Sequence, residues 1–504
     1  MRKPENHILV IFGASGDLTK RKLIPALADL HKQQLLPDRF AVLGLGRTQL
    51  SNDDFREKMK EGASEFSSKE GGSIDDFLNK LHYYSFNTKE RAEYAGFREK
   101  LEDLDAEVGS GSNFIFYLAT PPSMYSLVPQ FLADQGLNKN EKGFRRLIVE
   151  KPFGDNLESA QKLNADLLEF FNEEQIYRID HYLGKETVQN LLVTRFSNGI
   201  FEPLWNRNFI HHVEVTSSED IGVGSRGSYY EESGAMRDMV QNHLLLLSSL
   251  VAMEPPTLVN AESIRNEIVK VLQSLRPIPK DEVDEYVIRG QYVSSKMRGK
   301  DVKGYREEDG VDPKSRRETF VAMKFFIDNW RWAGVPFYIR TGKMLPTRVT
   351  EIVIHFQPTP HHLFSDDQAI IRQQNQLVIR IQPDEGLLLK FGMKVPGAGF
   401  RVQDVNMDFH YSELADSYLP SAYERLLLDC MLGDPTLYSR GDAVEAAWKF
   451  IDPILKAWEE QPCIKVHGYP AGTWGPEVSD DLIEGNMTWR YPCKNLTDGL
   501  YCEL

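Results

Sequence analysis

The chain opens on an apolar run, ILVIFG at 8–13, that breaks into a polar turn and then into LTKRKLIPALADLHKQQ, where Leu23, Ala26, Leu27 and Leu30 share one helical face. A short apolar run followed by a 3.6-residue period reads as a strand feeding an amphipathic helix. The alternation continues through the first 180 residues, with further strand candidates FAVLGLG (40–46), NFIFYLAT (113–120), RLIVE (146–150) and IYRID (176–180). Strands that are apolar throughout and separated by helices indicate a parallel sheet covered on both faces. The polar stretch EGASEFSSKEGGSIDD, 61–76, reads as a loop.

The second half has another texture. A helical zone over 184–273, interrupted by a strand near 211–217, gives way to FVAMKFFI (320–327), FYIR (337–340), EIVIHFQ (351–357), LVIRIQ (377–382) and GLLLKFGM (386–393). Such short spacings leave no room for crossover helices, so this sheet is expected to be antiparallel. Helical patterns near 421–432 and 440–458 close the chain. The expected fold is α/β followed by α+β. Residues 1–180 form a Rossmann-like, doubly wound parallel sheet that binds a nucleotide, and 181–504 carry a large, mostly antiparallel sheet for substrate binding and oligomerisation. The junction falls near 180–200, and domain junctions favour ligand sites.

Composition narrows the function. With 41% apolar and 26% charged residues, the 504-residue chain has the make-up of an ordinary folded protein. It contains no apolar run long enough for a membrane helix, and MRKPENHILVIFG lacks the layout of a signal peptide. The four cysteines all lie beyond residue 429 and do not suggest a disulfide scaffold. Asn486 and Asn495 fit a glycosylation pattern that means little without a secretion signal, and a cytoplasmic protein is expected. Lys plus Arg number 59 against 74 Asp plus Glu, a net charge of −15, which disfavours nucleic acid as a partner. A phosphate-bearing ligand must then be held by local cations and backbone N–H groups.

Three stretches offer such groups. GASGDLTK (13–20) joins the first strand to its helix, so Gly13, Ala14, Ser15, Gly16, Asp17 and Leu18 form a turn suited to a pyrophosphate. Its pattern is not G-x-G-x-x-G, and an ordinary loop with Asp17 capping the helix is the alternative. The second strand ends in Arg47 and Thr48 where NAD-preferring folds place Asp or Glu, which suits the 2′-phosphate of NADP. Lys151, after RLIVE, would face the crevice at the carboxyl ends of the strands, or else be a solvated lysine. RIDHYLGKE (178–186) gathers Arg178, His181 and Lys185 around Asp180, ahead of a helix whose first turn offers free N–H groups near Gly184. His181, Tyr182 and Lys185 would add side-chain donors to such an anion site. In RDMVQNHLLLL (237–247), His243 is flanked by Met239, Val240, Leu246 and Leu247, so it is either a core histidine or a base awaiting a carboxylate such as Asp180.

GASGDLTKRKLIPAL, EKPFG, RIDHYLGKE, RDMVQNHLL, RTGK (340–343) and YPAGTWGP (469–476) occur in an order and at spacings that resemble the glucose-6-phosphate dehydrogenase family along essentially the whole chain. The resemblance implies oxidation of glucose 6-phosphate at C1 to the 6-phosphogluconolactone with hydride transfer to NADP, NAD being accepted by some relatives. It makes His243 the proton acceptor and Asp180 its carboxylate, and it assigns phosphate contacts to His181, Tyr182, Lys185 and Lys343, with Arg348 close by. It further implies that Glu219 and Asp238 bond the sugar hydroxyls and that Lys151 contacts both ligands. Arg47 falls at the 2′-phosphate, Tyr125 on the cofactor, and Pro152 at a cis peptide. A homodimer or homotetramer is implied as well. Val349 and Val353 depart from positions that are basic in relatives with a second, structural nucleotide site, so none is expected here. A rival reading, a sugar dehydrogenase of the glucose–fructose oxidoreductase type, has no need of the His-Tyr-x-x-Lys cluster. A non-enzymatic nucleotide sensor would leave His243 and Asp180 without a role. No metal is expected, because the adjacent pairs His211-His212 and His361-His362 do not share a helix face and lack a Cys or Glu partner at a recognised spacing.

Overall fold

The computed structural model describes residues 3–67, 73–140, 143–297, 299–361, 364, 374–414, 418–485 and 487–492. Asn486, Asn495, His362, Cys493 and Cys502 lie outside them. Two compact units emerge: Met1–Glu186 with Pro256–Asn266 and Tyr418–Glu445, and Thr187–Pro255 with Glu267–Ser417 and Ala446–Leu504. The chain first passes to the second unit after Glu186, within the 180–200 stretch read as the junction. Two later stretches rejoin the first, which a division into 1–180 and 181–504 does not include.

The first unit is built on a seven-stranded sheet in the order Tyr438–Ser439, Ile176–Ile179, Arg145–Val149, Phe114–Leu118, His7–Phe12, Phe40–Gly46, Leu81–Ser85. All neighbours are parallel except the short first strand. From His7–Phe12 the chain winds outward on one side, then returns to lay Phe114–Leu118 on the other. In such a doubly wound sheet the ligand crevice lies outside the carboxyl ends at this reversal. His7–Phe12, Phe40–Gly46 and Phe114–Leu118 are buried along their whole length, which is why they read as unbroken apolar runs. Leu81–Ser85 was not expected: LHYYS sits at the sheet edge and buries only alternate residues.

The expected loop at 61–76 is corrected. Helix Asn52–Phe66 runs through its first part, residues 68–72 are outside the described ones, and a short helix Asp75–Leu78 follows. Ser51 opens the long helix with a capping box: its hydroxyl accepts from the Asp54 N–H at 3.1 Å, and its own N–H donates to the Asp54 carboxylate at 3.1 Å. Phe55, Met59 and Ala63 form its buried face. Gly62 is needed there because a Cβ would lie 2.4 Å from the Lys20 carbonyl oxygen. Helix Ala422–Leu432 carries Asp429, whose carboxyl burial pushes up to about 7 against the pull of Arg425 at 3.0 Å.

The second unit holds a nine-stranded sheet: Val402–His410, Gly386–Lys394, Gln376–Gln382, Val349–Phe356, Ile210–Ser218, Pro336–Gly342, Phe320–Phe326, Val287–Val293, His467–Pro470. Pairing is antiparallel except between Ile210–Ser218 and Pro336–Gly342 and between Val287–Val293 and His467–Pro470. Three of these strands, Val287–Val293, Val402–His410 and His467–Pro470, escape the hydrophobic pattern. In VIRGQYV the buried Arg289 and Gln291 bond backbone carbonyls, of Ile464 at 3.0 Å and Arg317 at 2.7 Å, so polar residues sit where apolar ones signal a strand.

Register assigns two unlike faces to this sheet. Val353, Tyr338 and Glu214 are neighbours across strands, as are Glu351, Arg340 and Thr216, and His355 faces His212. Side chains alternate along a strand, so Val213, Val215, Ile339, Ile352 and Ile354 occupy the opposite, apolar face. On the polar face the buried Arg340 guanidinium sits 4.7 Å from the ring centres of both Trp474 and Trp489 and donates to the Arg490 carbonyl at 2.7 Å. Among the described residues no helix is long and apolar enough to cross a membrane.

Candidate active site

The nucleotide end grows from the strand reversal. Gly13 follows His7–Phe12 with φ +85°, and a Cβ there would meet the Ala119 carbonyl oxygen at 2.2 Å, just past the end of Phe114–Leu118. Only glycine fits. The N–H groups of Gly13 and Ala14 both donate to the Leu45 carbonyl at 2.9 Å, and Gly16 closes the turn onto Gly13 at 3.0 Å. A π-helical turn, Thr19–Leu23, then runs into the α-helix Ile24–Lys32. The Asp17 carboxylate pairs with exposed Arg21 at 2.8 Å, and Leu18 is half-buried. Ser15 and Tyr83 crowd the position of Gly46, where a Cβ would lie 3.0 Å from the serine Oγ and 2.7 Å from the tyrosine hydroxyl. The same hydroxyl donates to the Thr48 carbonyl at 2.8 Å. The turn is thereby held beside the exposed pair Arg47 and Thr48. Lys58, which the sequence reading passed over, donates to the Ser15 carbonyl at 3.0 Å. Tyr125 is buried behind the short turn Pro122–Met124.

At the next carboxyl ends, the Lys151–Pro152 peptide is cis, as the resemblance implies. Glu150, beside it, was not expected as a site residue. Burial raises its pKa, while hydroxyl donors from Tyr117 and Tyr423 and the Lys151 N–H resist that rise. Tyr423 also feels the charge of Asp180. Asp180 is fully buried and accepts the Tyr182 N–H at 2.9 Å, and its carbonyl takes the Leu183 N–H at 3.1 Å, so DHYL is a tight turn. The His181 and Tyr182 rings lie 4.9 Å apart, and the Lys185 ammonium stands 4.8 Å over the Tyr182 ring. Helix Glu186–Phe196 begins immediately after, with Gly184 two residues ahead of it. Arg178 separates from this group: it is buried and paired with Glu173 at 2.7 Å, which makes it a structural cation.

The remaining candidates lie in the second unit. The expected α-helix over 237–247 is a π-helix, Met236–Leu244, continued as the α-helix Leu245–Ala252. Wider π turns are frequent at functional sites and shift side chains away from α-helical spacing. The π-helix starts at a kink where Gly234 adopts φ +70°, a Cβ there would lie 2.3 Å from a Glu318 carboxylate oxygen, and that carboxylate accepts the Met236 N–H at 3.1 Å. His243 is 2% exposed and Asp238 half-buried on this helix. Strand Pro336–Gly342 packs against it and delivers Lys343, whose buried ammonium pairs with Glu219. Backbone bonds fix both, Glu219 N–H to the Gly342 carbonyl at 3.0 Å and Lys343 N–H to the Thr319 carbonyl at 2.9 Å. Tyr230 collects this group. Burial drives its phenol well above its ordinary pKa with help from Asp238, Glu318 and Glu219, and the Lys343 ammonium lies 5.2 Å from its ring. Arg348 is exposed ahead of Val349–Phe356.

Comparison with known proteins gives this arrangement a family. Residues 10–190 match the description "Glucose-6-phosphate dehydrogenase, NAD binding domain", and 192–490 match "Glucose-6-phosphate dehydrogenase, C-terminal domain". The chain belongs to the glucose-6-phosphate dehydrogenase family. It is 54% identical to glucose-6-phosphate 1-dehydrogenase of Treponema pallidum (strain Nichols), over 99% of this chain and 98% of that one. It is 53% identical to the enzyme of the same name from Aggregatibacter actinomycetemcomitans, over 97% and 98%. A solved structure described as glucose-6-phosphate dehydrogenase in complex with its substrate glucose-6-phosphate is similar at TM-score 0.87 and 37% identity, covering 96% of this chain and 98% of that one. That of the Mycobacterium avium enzyme is similar at TM-score 0.83 and 34% identity, covering 97% and 99%.

Within this family the residues passed over by sequence reading are supports rather than obvious ligands. Glu150 precedes a lysine already singled out, so EKPFG carried a signal for it. Tyr117, Tyr423, Tyr230 and Glu318 carry none, since each reaches its group through long-range packing. Val349 and Val353 are both buried, Val353 on the polar face of the large sheet beside Glu214.

Proposed function

We propose that this chain oxidises glucose 6-phosphate at C1 to the 6-phosphogluconolactone with NADP as the preferred hydride acceptor and NAD as a weaker one. The observation that carries this reading is the match of both halves of the chain to one dehydrogenase family, with a solved relative described in complex with that sugar phosphate. The turn at Gly13 suits a pyrophosphate: it sets a helix N-terminus at the sheet reversal with no Cβ in the way. Gly13, Ala14, Ser15, Gly16, Asp17 and Leu18 would cradle the cofactor, with Arg47 and Thr48 at the 2′-phosphate and Tyr125 and Lys151 further along it. The bound nicotinamide supplies the hydride acceptor.

His243 is assigned the proton of the C1 hydroxyl, and Asp180 orients its imidazole and supports the charged form. His181, Tyr182 and Lys185 take the phosphate together with Lys343 and Arg348. Glu219 and Asp238 accept from the sugar hydroxyls, and Glu219 also holds the Lys343 ammonium in place. Lys343 is buried and Glu219 half-buried, so removing the carboxylate leaves a buried ammonium without its counter-charge. The assignment of His243 is tested by His243→Asn, which should lower kcat about 10²–10⁴-fold while leaving KM nearly unchanged. Turnover near that of the unaltered enzyme would remove His243 from the role.

A further inference from the structure

We propose that a cavity beside Arg237 of the π-helix binds one small phosphate-class dianion, free phosphate or a phosphate ester, through Arg289, Arg316 and Arg317. None of these residues is assigned to sugar or nucleotide. The cavity, of about 500 Å³, lies wholly within the second unit, between the start of the π-helix, the stretch 312–318 and the segment 455–462. Five cations line it, Arg237, Arg289, Lys314, Arg316 and Arg317, against four carboxylates. In a chain of net charge −15 that is a local reversal of sign.

The three arginines are held by backbone carbonyls, which fix the direction of a guanidinium without cancelling its charge. The Ile464 carbonyl takes Arg289 Nη2 at 3.0 Å and Arg316 Nη2 at 2.6 Å, which sets two like charges side by side. Arg289 Nε also donates to the Lys465 carbonyl at 3.3 Å, Arg316 Nη1 to that of Pro462 at 3.0 Å, and Arg317 Nε to that of Glu231 at 2.7 Å. Arg289 is 4% exposed, with its guanidinium 4.8 Å from the Trp458 ring centre. Burial pushes that guanidinium down to about 10; Glu318 opposes the fall, and Arg316 and Arg317 deepen it. It stays charged at neutral pH, and a bound anion would relieve the repulsion among the three cations. The nearby carboxylates are turned to other donors. Glu231 accepts from the hydroxyls of Tyr305 and Ser315, Glu318 from the Met236 N–H, and Asp312 from the Lys314 N–H at 2.8 Å. Glu459, largely exposed, reaches Arg237 only at 3.8 Å. Among the described residues, Arg289 Nη1 and both terminal nitrogens of Arg317 donate to no protein group. Guanidinium forks of this kind match a tetrahedral oxyanion two bonds at a time. Arg237 belongs to the π-helix and Glu318 holds the Met236 N–H, so the anion would tie the helix carrying His243 to the stretch 312–318. A ligand that binds only the folded chain also stabilises it.

The test is equilibrium dialysis of inorganic phosphate against the full-length protein, with ionic strength held constant by chloride. The thermal midpoint is followed in the same buffers, for the unaltered chain, Arg317→Gln and Arg316→Gln. The unaltered chain should show a phosphate site that Arg317→Gln weakens about 10–100-fold, the loss expected for one charge-assisted hydrogen bond. Its midpoint should rise with phosphate, and that rise should be lost in the variant. Phosphate held by the residues assigned to the sugar would survive both substitutions, so the outcome is independent of that assignment. Equal phosphate binding in all three proteins would overturn the site, as would a midpoint that follows ionic strength alone. Should Arg317→Gln not fold, Arg316→Gln, at an exposed position, decides by the same reading. Competition by glycerol 3-phosphate separates the two sources: displacement of the bound phosphate marks a site for esters, and no displacement marks one for free phosphate.

Discussion

In the first unit the groups that would meet a ligand are mostly backbone atoms and side chains at the carboxyl ends of neighbouring parallel strands. In the second they are side chains delivered by a loop, a kinked π-helix and a strand end, with Tyr230 packed among Glu219, Asp238 and Lys343. The two regions also tolerate change differently. A strand-end turn such as that at Gly13 is fixed by sterics: φ +85° and a carbonyl 2.2 Å from any Cβ. The group around Tyr230 is fixed by charge, since the buried Lys343 ammonium is answered by Glu219. Substitution should act on geometry in the first region and on electrostatics in the second.

The largest effect that separates them is expected at His243, where removal of the base strikes kcat alone. Next is Gly13→Ala. A left-handed backbone costs a non-glycine residue about 1–2 kcal/mol, and the clash with Ala119 forces the turn open, so the cofactor KM should rise at least about tenfold in steady-state kinetics. An unchanged cofactor KM would show that the turn does not serve the nucleotide. Lys185→Ala should follow, weakening the phosphorylated sugar about 10–100-fold, as the loss of one charge-assisted hydrogen bond implies, while free glucose is unaffected. Equal losses on both sugars would argue that Lys185 only packs on Tyr182. Arg47→Ala, at an exposed position, should weaken NADP by about tenfold and NAD hardly at all, which the ratio of the two KM values reads.

The smallest effect concerns stability. Asp429 has its carboxyl raised by burial from 3.8 to about 7, so it binds its proton more tightly in the folded chain than in the unfolded one. Its contribution favours folding at low pH and is lost as pH rises toward about 7. Denaturant titrations of Asp429→Asn should show a stability gain over the native chain that grows across that range and then levels. A gain independent of pH would mean that the Asp429 carboxyl titrates alike in the folded and unfolded chain.

Much of the first unit was legible because its strands are buried on both faces and its turn is dictated by glycine. The loop expected at 61–76 failed where a capping box at Ser51 carries a helix through polar residues whose buried partners, Phe55, Met59 and Ala63, are widely spaced. In the second unit the central strands were readable from their apolar cores, whereas Val287–Val293 was hidden by buried Arg289 and Gln291. The candidate site residues were singled out through motif resemblance, not through periodicity. RIDHYLGKE shows why composition alone is insufficient, since Arg178 belongs to a buried pair with Glu173 and not to the cationic group at His181 and Lys185. The π-helix under His243 left no mark in the sequence, because its wider turn arises from the kink at Gly234 and the Glu318 contact, set by tertiary packing.

The most direct measurement is the initial rate of reduced-nicotinamide formation with glucose 6-phosphate and with glucose, each against NADP and NAD. The account predicts a strong preference for the phosphorylated sugar and for NADP. Equal rates with plain glucose would contradict it, leaving the His181, Tyr182 and Lys185 cluster without a phosphate to bind.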